Sequence, residues 1–166
     1  LAKVEQDESI KGILILINTI GGDVECGLAI AELIASLSKP TVSLVLGGSH
    51  SIGVPLAVAA DHSFIVKSAT MMIHPVRSSG TFIGVIQSYR NIEKIQDRIT
   101  TFISDHSKMK KERVEELMLH IGQQVKDVGM ILSGEKAVKE GLIDEMGGIK
   151  EATDRLIEII NRSENK

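Results

Sequence analysis

Residues 12–60 read GILILINTIGGDVECGLAIAELIASLSKPTVSLVLGGSHSIGVPLAVAA, in which short apolar runs alternate with turn residues and helical segments. The run 12–17 is short and continuously apolar, as in a buried strand. Asp23 is a suitable N-cap for a helix over 24–37. The pattern then repeats as a buried strand over 41–46, a tight turn over 47–51 and an apolar helix over 52–60. Strands alternating with helices predict an α/β fold, with a parallel sheet covered on both faces.

The rest of the chain continues this alternation. The sequence predicts strands over 62–66 and 70–74, a loop or exposed strand over 78–84, helices over 85–106 and 110–121, a short helix capped by Ser133 and ended by Gly141, a strand over 142–144 and a helix over 149–160. In the long helix, Ile92, Ile95, Ile99 and Phe102 recur at steps of three and four. They therefore form one apolar stripe.

Composition limits the class of protein. The 166 residues correspond to one domain, residues 1–166, and 43% of them are hydrophobic, enough for a sizeable core. The net charge of −3 and the presence of only three phenylalanines and one tyrosine argue against nucleic-acid binding. No apolar run approaches the ~18 residues of a membrane span. The single cysteine, Cys26, favours a reducing compartment, here the cytoplasm, and we expect it in the core. Because the chain opens on Leu1, we expect a missing N-terminal segment.

The first candidate site is the pair Gly21-Gly22, between a predicted strand and a predicted helix. Glycine lets the backbone approach a ligand, and the N–H groups at a helix N-terminus favour an anion or an oxyanion. The turn matches neither a dinucleotide-binding fingerprint nor a P-loop. The alternative is a turn that simply requires positive φ.

The second candidate is Ser51, between a buried strand and an apolar helix. The arrangement resembles a nucleophile elbow, although Ser49 replaces the first glycine of G-x-S-x-G. Ser49 is itself a rival nucleophile, but it precedes the apex of the turn. Alternatively, Ser51 is only a helix N-cap.

The third candidate is His74, at the end of a strand and before Pro75. A histidine at such a position can act as a general base, or it can be an ordinary packed residue. The other histidines have no second ligand at metal spacing, so we expect no metal site; they are His50, His62, His106 and His120.

Four stretches together resemble the Clp protease proteolytic subunit family. They are Ile15-Leu-Ile-Asn-Thr-Ile-Gly-Gly22, Ser51-Ile-Gly53, Met72-Ile-His74-Pro75, and Leu132-Ser133 through Lys139-Glu-Gly-Leu-Ile-Asp144. They follow in the family's order and cover about residues 10–160. The resemblance implies an α/β fold of the ClpP/crotonase type, a superhelix of ββα units. It also implies a protruding handle helix within about residues 77–106.

The resemblance implies a serine-type endopeptidase that cleaves peptides or unfolded polypeptides. Ser51 would be the nucleophile, His74 the base, and the N–H groups of Gly22 and Ile52 the oxyanion hole. The family assembles into homo-oligomeric rings around a chamber. It needs no bound cofactor, and folded substrates reach it through an ATP-dependent unfoldase partner.

The chain departs from the family pattern at several positions. Ile20 replaces a proline, Pro75 directly follows His74, and Gly129 occupies the usual position of the triad aspartate. These departures resemble the translocation-enhancing protein branch of the family. We expect a Ser51–His74 dyad. Asp127 is the candidate third member, because residues 127 and 129 of an extended segment point the same way.

Two alternatives stay open at this point. A missing aspartate is compatible with a catalytically weak, ring-forming scaffold or adaptor. The same superhelix also occurs in crotonase-type acyl-CoA enzymes, which bind a thioester oxyanion with paired N–H groups and need no serine nucleophile.

Overall fold

The computed structural model describes residues 1–80, 83–120 and 128–164. The helices are α1 (Ala2–Gln6), α2 (Val24–Ala35), α3 (Gly53–Val58), α4 (Val85–Asp105), α5 (Lys111–Met118), α6 (Gly134–Lys139) and α7 (Ile149–Glu164). The strands are β1 (Ile13–Thr19), β2 (Thr41–His50), β3 (His62–Ile65), β4 (Thr70–Ile73), β5 (Met130–Ser133) and β6 (Glu145–Met146). The predicted α/β class is confirmed.

One sheet contains all six strands of the described residues. The central strand β2 pairs in parallel with β1, β3 and β4, and β6 pairs in parallel with β3. Strand β5 is the exception to the predicted parallel sheet, because it pairs with β4 in the antiparallel sense. The carboxyl ends of β1, β2 and β4 therefore lie side by side, where ligands bind in α/β sheets.

The two faces of the sheet carry separate apolar clusters. Val42 and Leu44 pack with Phe64 and with Ala152 of α7 on one face. The larger cluster combines Val45 of β2 with side chains from α2 to α6. Adjacent strand residues point to opposite faces, so the buried apolar residues of β2 serve both clusters, Val42 and Leu44 on one face and Val45 on the other.

Strand β2 is longer than predicted. The predicted turn over 47–51 is wrong for residues 47–50, because these residues continue the strand and residues 48–50 pair with β4. The pairing with β1 shifts register here, and the Gly48 N–H donates to Asn18 Oδ1 at 3.1 Å. The Asn18 side-chain oxygen thus takes the place of the backbone carbonyl that would accept from the Gly48 N–H in a regular sheet.

The carboxyl-terminal prediction needs two corrections. Residues 142–144 are not a strand; Leu142 and Ile143 are buried in the core, and the strand is β6, immediately after them. The last helix continues to Glu164 instead of ending at residue 160. The predicted cap is confirmed, since the Ser133 side chain accepts from the Lys136 N–H at the start of α6.

Helix α4 divides into two parts. Ile99 and Phe102 of the predicted stripe are buried, and Ile95 packs against the same core. The stripe therefore packs mainly on its own domain. The first turns of α4 instead expose large apolar side chains, of which Val85 is 74% and Ile86 65% exposed. Among the described residues, no helix is both long and apolar enough to cross a membrane.

Candidate active site

A pocket of about 120 Å³ opens at the carboxyl ends of β1, β2 and β4. Its lining includes all four residues predicted for the nucleophile, the base and the oxyanion hole: Gly22, Ser51, Ile52 and His74. Apolar side chains form much of the remaining wall: Val24, Val54, Ile73, Val76, Ile99, Ile103 and Met118. Residues far apart in sequence meet here because the strands that carry them are parallel neighbours.

Ser51 has the backbone conformation of a nucleophile elbow. Its φ is +57°, and among the described residues it is the only residue other than glycine with positive φ. Its N–H donates to the Met72 carbonyl at 2.8 Å, which ties the turn to β4. The N-cap alternative is not realised, because helix α3 has Ile52 at its N-cap position and no side-chain cap bond.

Gly21 lies directly against this turn. Its φ is +99°, and a Cβ atom at this position would stand 2.7 Å from Ser51 Cβ. A Cβ on Gly22 would instead meet nothing within 4 Å. The two glycines therefore have different structural roles. Gly21 lets the backbone of this turn pass close to Ser51, whereas Gly22 faces open space beside the pocket.

Ser49 is engaged elsewhere. Its side chain is fully buried, and its Oγ donates to the Gly53 carbonyl at 2.7 Å. A buried hydroxyl in such a bond is not available to a substrate, whereas Ser51 lines the pocket.

His74 follows β4 directly and is half-buried. Its Nδ1 lies 2.7 Å from the Pro75 carbonyl oxygen. A carbonyl only accepts, so Nδ1 carries the proton and the neutral ring keeps its lone pair on Nε2. A histidine in this tautomer can act as a base through Nε2.

Gly129, where the resemblance places the triad aspartate, lies beside His74. Gly129 has a φ of +133°, and a Cβ there would stand 2.7 Å from His74 Cβ and 2.5 Å from the Ile73 carbonyl oxygen. No side chain fits at this position without a backbone shift. The candidate third member, Asp127, lies outside the described residues.

The remaining polar candidates have structural partners. His50 Nε2 lies 2.9 Å from Thr70 Oγ1, and His106 Nδ1 donates to the Phe102 carbonyl at 2.9 Å. Residues 1–80, 83–120 and 128–164 contain no cluster of histidine, cysteine, aspartate or glutamate suited to a metal ion. The core assignment of Cys26 is wrong, because its side chain is exposed on α2. Asp23, with Glu25, raises the pKa of this thiol, which makes it a poor nucleophile.

Sequence reasoning did not find two features around His74. The Pro75 carbonyl leaves no signal in a sequence, since every residue has one. Helices α4 and α5 contribute Ile99, Ile103 and Met118 to the apolar wall, and of these only Ile99 belongs to the predicted stripe. The stripe did not indicate that Ile99 would face the site.

Comparison with known proteins identifies the class. Over residues 1–150 the chain matches the Clp protease family, to which it therefore belongs. It is 52% identical to the translocation-enhancing protein TepA of Halalkalibacterium halodurans, across 99% of this chain and 64% of that protein. The chain thus spans less than two thirds of that relative's length.

A more distant relative agrees with this class, and a solved structure shows the same fold. The chain is 28% identical to the ATP-dependent Clp protease proteolytic subunit 1 of Chlamydia muridarum, across 80% of this chain and 68% of that protein. A variant of ClpP1 from Listeria monocytogenes has the same fold, with a TM-score of 0.73, 22% identity, and coverage of 91% of this chain and 85% of that one. The family resemblance and the predicted superhelical fold are confirmed.

Proposed function

We propose that this protein is a serine-type endopeptidase that cleaves peptides or unfolded polypeptides with a Ser51–His74 dyad. The observation that carries the proposal is the positive φ of Ser51 on the wall of the pocket that His74 also lines. Membership of the Clp protease family supports the same reaction class over the crotonase alternative.

The proposed reaction is acyl transfer. Nε2 of His74 takes the proton from Ser51 Oγ as the oxygen attacks the peptide carbonyl carbon. The negative oxygen of the tetrahedral intermediate is held by the N–H groups of Gly22 and Ile52. The imidazolium then protonates the leaving amine, the C–N bond breaks, and an acyl-enzyme forms on Ser51. Water, deprotonated by His74, hydrolyses the ester and restores both residues.

The apolar wall of the pocket supports a proposal about the class of substrate. Side chains such as Val54 and Met118 line the space next to Ser51. We therefore expect an apolar side chain on the acyl side of the scissile bond, since burial away from water favours it there.

A homo-oligomeric ring is part of the proposal. The first turns of α4 expose the apolar side chains of Val85, Ile86 and Tyr89. An exposed apolar patch of this kind is typical of a surface that binds another protein. Self-association through this segment would cover these side chains. Folded substrates would then require an ATP-dependent unfoldase partner, and we expect the whole assembly in the cytoplasm.

A fluorophosphonate probe tests the nucleophile. Wild-type protein should be modified at Ser51, as mapped by mass spectrometry, and Ser51→Ala should not react. Ser49→Ala is the matched control, because it removes a hydroxyl two residues away without touching the pocket. Labelling at Ser49, or undiminished peptide hydrolysis by Ser51→Ala, would overturn the proposal.

Gly129 favours a second candidate function. A ring-forming scaffold or adaptor has no need of a carboxylate beside His74, so it would tolerate glycine at this position. In that case Ser51 would not react with the probe, and Ser51→Ala would assemble as the wild type does.

A further inference from the structure

A histidine that acts as a general base through Nε2 needs a hydrogen-bond acceptor for its Nδ1–H. That acceptor fixes both the orientation of the ring and the tautomer, and loss of the usual carboxylate costs roughly 10⁴ in turnover. In this protein the family's aspartate position is Gly129, where a Cβ would already collide with His74. The ring must therefore be held by another group.

A single peptide unit connects His74 to helix α4. The carbonyl of Pro75 accepts from His74 Nδ1–H at 2.7 Å. On the other side of the same peptide, the Val76 N–H donates to Gln96 Oε1 at 3.3 Å, slightly longer than the usual N–H···O distance. A peptide is planar, so the bond that orients the N–H also orients the carbonyl.

The surroundings restrict this peptide further. The ring of Pro75 fixes its own φ, which restricts the backbone that leads into this peptide. The plane of the peptide then depends on ψ of Pro75 and φ of Val76, and the bond to Gln96 restrains it. The Val76 side chain packs against the main core. Gln96 precedes the buried Ile99 by one helical turn, so the anchored part of α4 holds the amide in place.

We propose that the Pro75–Val76 peptide replaces the missing carboxylate as the positioning group for His74, and that Gln96 is the residue that orients this peptide. The proposal deepens the Ser51–His74 mechanism and rests on it. The peptide carbonyl holds the ring as a carboxylate does, but it carries no charge. It therefore stabilises the imidazolium of the transition state less, which predicts slow turnover compared with a complete triad.

The experiment reads the tautomer of His74 directly. The full protein is prepared with isotope-labelled imidazole nitrogens, and the ring proton is located by NMR at a pH where the ring is neutral. The rate of fluorophosphonate labelling at Ser51 is measured in parallel. Gln96→Leu removes the acceptor at similar volume, Gln96→Glu keeps an acceptor oxygen, and Gln6→Leu makes the same change on exposed α1.

We expect the proton on Nδ1 in the wild type, in Gln96→Glu and in Gln6→Leu. In Gln96→Leu, a detectable fraction should move to the Nε2–H tautomer, and labelling should slow by up to about tenfold, the effect of one hydrogen bond. If Gln96→Leu does not fold, the comparison of the wild type with Gln96→Glu decides, since a loss of Nδ1 protonation in Gln96→Glu contradicts the proposal.

Two results would overturn the inference. One is a wild-type His74 with its proton on Nε2. The other is an Asp127→Asn variant that changes the tautomer, because the carboxylate would then be the acceptor. Absence of any labelling at Ser51 would instead reject the proposed function, while the tautomer would still report on the peptide.

Discussion

Gly129 lies so close to His74 that a Cβ atom on the glycine would stand 2.7 Å from the Cβ atom of the histidine. The position at which the family resemblance places the triad aspartate therefore has no room for a side chain. This contact determines whether an aspartate introduced at position 129 can fit beside His74.

We expect Gly129→Asp to destabilise the protein without raising the peptidase rate. The side chain would meet the Ile73 carbonyl at 2.5 Å, and the φ of +133° disfavours any L-residue. Together, strain and overpacking cost about 2–4 kcal/mol in the free energy of unfolding. Denaturant titration and peptide hydrolysis measure both effects.

Gly80→Asp is the control for this substitution. Gly80 also has positive φ, +145°, but a Cβ there would meet nothing within 4 Å. It should lose less stability, since only the conformational penalty applies. A Gly129→Asp protein that is as stable as Gly80→Asp and faster than the wild type would contradict the steric argument.

Gly21 and Gly22 should differ sharply when each is replaced by alanine. In Gly21→Ala the new methyl group would stand 2.7 Å from Ser51 Cβ and 2.9 Å from the His50 carbonyl, so the turn must shift. In Gly22→Ala it enters open space, and the N–H of residue 22 is retained. We expect the labelling rate at Ser51 to fall at least tenfold, ~1.4 kcal/mol, in the first variant only. Equal rates in the two variants would rule out the close approach.

Asp144 should make the folded state sensitive to acid. Burial by itself would raise the pKa of this carboxyl, but hydrogen bonds from Lys108 and Ser63, together with His62, outweigh it and hold the pKa below its ordinary value. A lowered pKa in the folded state stabilises the protein above the unfolded-state value of about 3.9, and this stability is lost as the pH falls through the folded-state value.

Asp144→Asn should therefore destabilise the protein at neutral pH, by about 1–3 kcal/mol, and flatten the acid side of its stability profile. Ser63 donates to Asp144 Oδ2 through both its N–H, at 3.0 Å, and its Oγ, at 2.9 Å. Asp154→Asn is the matched control, because the Lys150–Asp154 pair is solvent-exposed and contributes little to stability. Identical profiles for the two variants would show that Asp144 is not the responsible group.

The exposed start of α4 should control assembly. Ile86→Glu places a charge on the apolar segment, and we expect a smaller particle by light scattering at micromolar concentration. Gln87→Glu introduces the same carboxylate at a neighbouring exposed position and should leave the mass unchanged. An Ile86→Glu protein of wild-type mass would exclude this segment from the interface.

The pocket should select apolar residues in substrates. A leucine before the scissile bond should give kcat/KM about 10–100-fold higher than an aspartate, since burying one apolar side chain is worth about 1.5–3 kcal/mol. The same exchange several residues downstream serves as the control. A peptide series without such a preference would mean that Val54 and Met118 do not contact the substrate side chain.

Local sequence patterns predicted the order of strands and helices from residue 12 to residue 74. The runs 12–17 and 41–46 correctly indicated strands. Residues 41–45 are buried as predicted, whereas β1 is only partly buried and Leu16 is 55% exposed. Local turn residues marked the helix starts at Asp23 and Ser133, and both caps form. The motifs around Ser51 and His74 were also readable, because each is a short local pattern.

The tertiary structure alone decided what surrounds those residues. The extension of β2 through His50 depends on pairing with β4, and the burial of Leu142 depends on distant core residues. A side chain at Gly129 is excluded by Ile73 and His74, which lie at the end of β4, far away in sequence. The tautomer of His74 is set by a backbone carbonyl, an acceptor that every residue carries. That acceptor belongs to the next residue, Pro75, but the Gln96 side chain that accepts from the same peptide comes from α4. Only the tertiary structure brings Gln96 there, because hydrogen bonding depends on distance and direction in space and not on residue type alone.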